Sequence, residues 1–296
     1  MFISTFFSYK GGAGRSTTCF NTVPFLVEHT DADAKHPILL IDTDIESAGM
    51  TFLLNQQDHF KGKYDVKQFL KCEENFSVSR MANLSEHSLY NHFVPVGNML
   101  GLDDNNAVMF FGVDVTSEQL NRKDVEGRMD GAMERLITFA DNNNFKGIVM
   151  DSAAGDQFSA ILSVDTADKI VFCLRMTHQF RVGTFNYLHK LALKYGAASD
   201  KEIIILPTVV PADAVIDGVS QMKAGIEDIN ARIDGIPSLD FITDFVESED
   251  MLGINEVMRF KWKEGVLYKL SKEKEITADE KEGLRRYSHL AEVIAD

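Results

Sequence analysis

The sequence predicts an α/β fold, a mostly parallel twisted sheet with helices on both faces, and three observations carry that expectation. Short apolar runs alternate along the chain with longer helical patterns, which is how strand–helix–strand units read. Several runs, ILLID, GIVMD, KIVFCL and EIIIL, are apolar almost without interruption, as strands covered on both sides are. A glycine-rich turn, residues 10–17, follows the first run directly and precedes the first helical pattern.

The strand candidates are residues 2–7, 37–42, 107–113, 146–151, 169–175 and 202–207. Helical patterns occupy residues 15–29, 117–141, 179–195 and 220–233, and a last one spans 278–295. Two of them open with capping-box spacing, Thr116 with Gln119 and Thr277 with Glu280, pairs that satisfy each other's orphan backbone N–H groups. Pro24 falls inside the first helix, where it removes the hydrogen bond to the carbonyl of Phe20 and predicts a bend. Residues 50–106 show no steady period and are read as an irregular excursion from the sheet, and about 249–296 as a helical C-terminal part of one domain, 1–296. No repeat, low-complexity tract or linker divides the chain.

With 296 residues, 45% hydrophobic and 25% charged, the chain can bury a large core. No stretch approaches the ~20 apolar residues of a membrane span. The N-terminus enters FISTFF without the basic region of a signal peptide, so a cytoplasmic protein is expected. Cys19, Cys72 and Cys173 are odd in number and far apart in sequence, a pattern of buried thiols rather than of disulfides or a CxxC site. His87 and His92 have no companion at zinc-site spacing. A net charge of −15 opposes a general coating of nucleic acid or anionic lipid but leaves room for a local basic face.

The chemistry concentrates in Tyr9-Lys10-Gly11-Gly12-Ala13-Gly14-Arg15-Ser16-Thr17. Three glycines in four positions let the backbone turn tightly and aim successive N–H groups inward, while the following helix presents its positive end to the same point. This is a phosphate cradle formed by Gly11, Gly12, Ala13 and Gly14 with Arg15, Ser16 and Thr17. Ser16 is placed to ligate Mg²⁺ and Thr17 to touch an α-phosphate. A glycine-rich connector would carry the same letters, but the strand before it, the helix after it and the flanking cations favour the cradle.

At these residues the chain resembles the ParA/MinD family of partition and division-site ATPases, whose deviant Walker A loop carries an extra lysine near its start, matched by Lys10. In that family the lysine reaches across a dimer interface to the partner's nucleotide. Residues 38–49, ILLIDTDIESAG, resemble the family's second strand and first switch segment, with Asp42 and Asp44. Residues 147–155, GIVMDSAAG, resemble its Walker B strand and second switch, in which Asp151 would hold Mg²⁺. Residues 166–184 are similar to the next strand and helix, more loosely. The resemblance implies a SIMIBI-type P-loop NTPase fold, ATP and Mg²⁺ as ligands, hydrolysis to ADP and phosphate, and a nucleotide-dependent homodimer that acts as a switch on a protein partner or DNA.

Phosphoryl transfer to water needs cations on the phosphate oxygens, a positioned metal and a group that orients the water. Lys10, Arg15 and Ser16 answer the first two needs, Asp44 is the candidate for the third, and Asp42 would support the metal shell. Turn formation at strand ends is the bland alternative for Asp42 and Asp151, and their occurrence as a pair disfavours it. Three features depart from the family: Arg15 stands where the loop lysine belongs, Pro24 interrupts the first helix, and the loop Pro207–Pro211 lacks the asparagine common on the adenine side. Arginine keeps the charge but not the shape, so the expectation is retained nucleotide binding with hydrolysis slow, altered or absent. A pseudo-ATPase scaffold that senses nucleotide is therefore the alternative to a hydrolysing switch. A tyrosine-kinase relative is disfavoured because Tyr287 stands alone in the last 28 residues.

Partner signals are thinner. The final helix carries more acid than base, against a membrane anchor. Residues 259–274 interleave Arg259, Lys261, Lys263, Lys269, Lys272 and Lys274 with Phe260, Trp262 and Tyr268, a composition that could grip DNA. A solvated face with its aromatics packed inward explains the same letters more economically, since Glu264 and Glu273 dilute the patch. Cys72 and Cys173 do not match the cysteines of cluster-bearing relatives.

Overall fold

Seven of the strands in the computed structural model run parallel: β1 (Phe2–Ser8), β2 (Ile38–Asp42), β4 (Val108–Phe111), β5 (Gly147–Ala154), β6 (Lys169–Leu174), β7 (Glu202–Val210) and β8 (Ile254–Asn255). The short β3 (Val94–Pro95) closes one edge antiparallel to β4, and the order across the sheet is β3-β4-β2-β5-β1-β6-β7-β8. The structure describes residues 1–54, 93–113, 129–175, 178–195, 201–210, 224, 254–255 and 266–296. Among these the helices are α1 (Arg15–Thr30), α2 (Gly49–Leu54), α3 (Gly97–Leu100), α4 (Met129–Asn142), α5 (Phe158–Thr166), α6 (His178–Tyr195), α7 (Leu267–Glu273) and α8 (Ala278–Ala295).

Uninterrupted apolar runs make sense once both layers are seen. Alternate residues of a strand point to opposite faces, so Leu39, Ile41, Ile148, Met150, Ile170 and Phe172 join one core, which α4, α5 and α6 cover with Met133, Leu136, Phe139, Leu162 and Leu188. Their neighbours Ile38, Leu40, Val149, Val171 and Cys173 join the other, with Val23 and Leu26 of α1 and Tyr287, Leu290 and Ile294 of α8. α8 packs along α1 and so backs the helix whose N-terminus forms the site.

All six strand expectations are met with small shifts of boundary, the largest being extensions of β5 to Ala154 and β7 to Val210. The first and last helices lie as the sequence places them, and Thr277 and Glu280 form a complete capping box. Pro24 is buried within α1, which continues through it to Thr30. β3, β8, α3, α5 and α7 are additions, all too short or too evenly apolar to show a period. Part of the irregular stretch 50–106 folds regularly, as α2, β3, α3 and β4's approach. The Thr116 and Gln119 cap, nearly all of the pattern 220–233, Cys72, His87, His92 and residues 259–265 lie outside the described residues. No helix among the described residues is long and apolar enough to cross a membrane.

Leu290 is fully buried between α8 and α1, so Leu290→Ala should lower the unfolding free energy by about 2–5 kcal/mol. Thr277→Ala removes only a cap and should cost roughly 1 kcal/mol. Urea unfolding of both variants, with unchanged slope, checks the ranking.

Candidate functional site

β1 ends at Ser8, whose carbonyl accepts a hydrogen bond from Gly155 N at 3.0 Å and so aligns the ends of β1 and β5. The loop then turns through Gly12 (φ 79°) and Gly14 (φ 80°), left-handed positions that a side chain would strain. Gly14 caps α1 without any side-chain bond, and no acidic residue occupies the helix's first turn. The N–H groups at the start of α1 are therefore available to an anion. They face a cleft of about 450 Å³ lined by residues 11–17, by Asp44, Glu46, Ser47 and Gly49 after β2, by Ala154 at the end of β5 and by Gln157 beyond it.

Two contacts fix the loop from behind. The ring of Tyr9 lies against Gly183 of α6, where an added Cβ would come within 2.5 Å of it, and lies 5.9 Å from the Tyr187 ring. On the other side the buried Thr208 hydroxyl of β7 sits between the carbonyls of Ala13 and Leu174 and can donate to either. Lys10 is half-buried, stands outside the cleft lining, and hydrogen-bonds to no described residue.

The Arg15 side chain takes an unexpected direction. It is 9% exposed and turns to the carboxylates, with Nε donating to Asp151 Oδ1 at 2.8 Å and Nη2 to Asp44 Oδ2 at 3.0 Å. Burial pulls the guanidinium pKa down, and the charges of Asp151 and Asp44 more than restore it. Asp44 also accepts from the backbone N–H of Ser47 at 3.0 Å and from its hydroxyl. Hence the group expected to orient water is engaged on both oxygens.

Asp42 is completely buried and held by its own segment. Its Oδ2 accepts from both the N–H and the hydroxyl of Thr51 at 2.8 Å, and its Oδ1 from Asp44 N at 3.1 Å. The Thr51 hydroxyl oxygen in turn accepts from Val113 N at 3.0 Å. Burial, with the nearby charge of Asp151, pushes the Asp42 carboxyl up to about 8 against the pull of Thr51. Burial also raises Asp151, opposed by Arg15.

Whether a divalent metal suits these residues turns on one atom. Asp151 Oδ2 is buried without a hydrogen bond, and the Ser16 hydroxyl lies close enough to the carboxylate to pull its pKa down. Gly49 packs at the same spot, where an added Cβ would fall 2.9 Å from Ser16 Oγ and 3.9 Å from Asp151 Oδ2. An orphan carboxylate oxygen beside a hydroxyl suits Mg²⁺, which takes one or two protein oxygens and completes its shell with water and phosphate. Among the described residues no group of three or more His, Cys, Asp or Glu forms a self-sufficient metal cage.

The fold thus brings Ser16, Thr17, Arg15 and Asp44 around one cleft, with the buried Asp151 and Asp42 behind them. Sequence reasoning missed Thr51, Thr43 and Gln157. Thr43 donates from both its N–H and hydroxyl to the Asp151 carbonyl, at 2.9 and 3.1 Å, and shares a hydrogen with Ser163 Oγ. Gln157 Nε2 donates to Glu46 Oε2 at 3.1 Å across the cleft. None belongs to a recognisable spacing, so no signal in the letters marked them.

A carboxyl raised from its usual value of about 4 contributes full stability below that value and loses it as pH climbs through about 8. Thr51 donates to the ionised form, so its loss should hurt most when Asp42 is charged. Thr51→Val should cost about 1–3 kcal/mol, and more above the Asp42 pKa of about 8 than below it. Urea unfolding on both sides of that pH tests the sign.

Comparison with known proteins places the architecture. No family model and no curated protein matches the chain. Among solved structures, it is similar to a ParA family ATPase from Chlorobium tepidum TLS, at TM-score 0.55 and 13% identity over 98% of each chain. It is also similar to the McdA–ATP complex from Cyanothece, at TM-score 0.52 and 14% identity over 94% of this chain and 98% of that one. A third is the MinD cell division protein of Aquifex aeolicus, at TM-score 0.50 and 14% identity over 98% and 97%. The chain has the fold of the ParA and MinD ATPases, a mostly parallel P-loop sheet flanked by helices.

Proposed function

We propose that this protein is an ATP-binding molecular switch, slowly hydrolysing ATP to ADP and phosphate, that dimerises with nucleotide and acts on a protein partner or DNA. One observation carries the reading: an uncapped helix N-terminus and a left-handed glycine loop open onto a cleft lined by Ser16, with the buried, unpaired Asp151 oxygen behind it. The N–H groups from Gly11 to Thr17 take the phosphates. Ser16 and Asp151 hold Mg²⁺, which supplies charge neutralisation on the phosphate oxygens. Asp44 orients water, Arg15 contributes positive charge beside it, and Lys10, outside the lining of its own cleft, serves the nucleotide of a second copy. The fold neighbour crystallised with ATP supports adenine over guanine.

A second reading, a nucleotide-sensing scaffold without hydrolysis, has its own observation in the Arg15–Asp44 ion pair, which occupies the water-orienting group. For DNA the described part of the basic segment gives little support. Tyr268 is buried against Phe25, Lys272 lies 4.4 Å over the Tyr268 ring and Lys269 pairs with Glu273 at 3.9 Å. A protein partner is therefore the preferred target.

Calorimetry and thermal shift with ATP and Mg²⁺ test the proposal. At ATP about 100-fold above its Kd, unfolding should become harder by roughly 2.7 kcal/mol. Asp44→Ala should abolish turnover while keeping binding, and Lys10→Ala should abolish ATP-dependent dimerisation while keeping binding. Absence of any response to millimolar-range ATP or GTP would sink the reading; binding without turnover in the presence of every partner tried would select the scaffold.

A further inference from the structure

We propose that Arg15 is the resident counter-cation of this site, holding Asp44 and Asp151 together so that free divalent metal is excluded until a triphosphate brings it in. The inference rests on the nucleotide reading and concerns the regulation of that same cleft.

The geometry is specific to arginine. Nε and Nη2 leave one rigid head in different directions and reach carboxylates from two segments, Asp151 at the end of β5 and Asp44 after β2. An ammonium is a point charge and cannot span both with the same fixed fork. Three carboxylates crowd this pocket, since Asp42 and Asp151 are paired in register on adjacent strands and Asp44 follows two residues later. Their crowded negative charge needs a counter-cation. Arg15 supplies it, donating to Asp151 Oδ1, and the oxygen left over, Oδ2, belongs to the same carboxylate.

A free Mg²⁺ at Oδ2 and Ser16 would thus share one carboxylate with a guanidinium, two cations repelling each other in a buried setting. A bound triphosphate changes the balance, because its oxygens supply the negative charge that lets both cations remain. Metal then enters only with nucleotide. The same pairing restrains the segment from Asp44 to Gly49: Asp44 is tied to Arg15, and Ser47 to Asp44. Any shift of the guanidinium toward phosphate loosens Asp44 first, since that bond comes from the terminal nitrogen. Occupancy of the cleft is thereby linked to freedom of the segment that leads into α2.

The experiment measures binding of Mn²⁺ alone, by electron paramagnetic resonance, and of Mg²⁺ alone, by thermal shift, in wild type, Arg15→Gln and Arg15→Gln/Asp44→Asn. Arg15→Gln should bind either ion at least roughly tenfold more tightly than wild type, and Asp44→Asn in that background should reverse most of the gain. Should Arg15→Gln fail to fold, Arg15→Lys replaces it, with a smaller gain in the same direction. Equal binding by wild type and variant, or none by either, overturns the proposal. A non-hydrolysable ATP analogue titrated into wild type in parallel separates the two ideas: if it does not bind, the nucleotide reading falls, while the metal comparison still judges Arg15.

Discussion

A buried guanidinium must be paired, and the pairing of Arg15 with Asp44 and Asp151 is the constraint on which the rest of this site depends. Removing one partner from such a group typically costs about 3–5 kcal/mol, because the charge left behind has neither water nor a counter-ion. The pair therefore does more than decorate the cleft. It ties the first residue of α1 to the segment after β2 and to the end of β5, three pieces of chain that approach only because β2, β5 and β1 are neighbours. The carboxylate network behind it, Asp42 to Thr51 to Val113, extends the tie into the start of α2 and the end of β4.

Sheet order explains why this crowding arises at all. Parallel strands all end on the same side, and the register places Asp42 directly beside Asp151. Burial first, and then the charge of Asp151 beside it on the neighbouring central strand, push the Asp42 carboxyl up to about 8, and three donors hold it. Thr43 stiffens the junction by closing on the Asp151 carbonyl. The glycine loop can then turn tightly through its left-handed positions, because its flanks are anchored through Tyr9 on α6 and Thr208 on β7.

Much of the scaffold was legible in the letters because its signals are strong and local. Two-sided burial forces uninterrupted apolar runs, and ILLID, GIVMD, KIVFCL and EIIIL all became central strands. The Thr277 and Glu280 cap and the glycine loop are equally local, each set by a few neighbouring residues. What could not be read depends on tertiary direction. Thr51 and Thr43 look like ordinary helix and turn residues, and only the fold aims their hydroxyls at Asp42 and the Asp151 carbonyl. Short elements such as β3 and α3 make two or four residues' worth of pattern, too little to show a period.

Arg15 is the instructive case, because the letters give its place in the loop but not the direction of its side chain. Charge alone put it on the phosphates, as a lysine there would be. A lysine can extend toward an anion and remain hydrated at its tip, whereas a guanidinium, planar and weakly hydrated, gains most from fixed carboxylates that match its fork. With Asp44 and Asp151 already converging on the loop, the internal partners are present before any ligand arrives. The substitution from lysine to arginine thus moves the loop's positive charge from the nucleotide side of the cleft to the protein side. Under the counter-cation proposal its effect falls on when the site becomes receptive, a consequence that neither net charge nor motif matching would reveal.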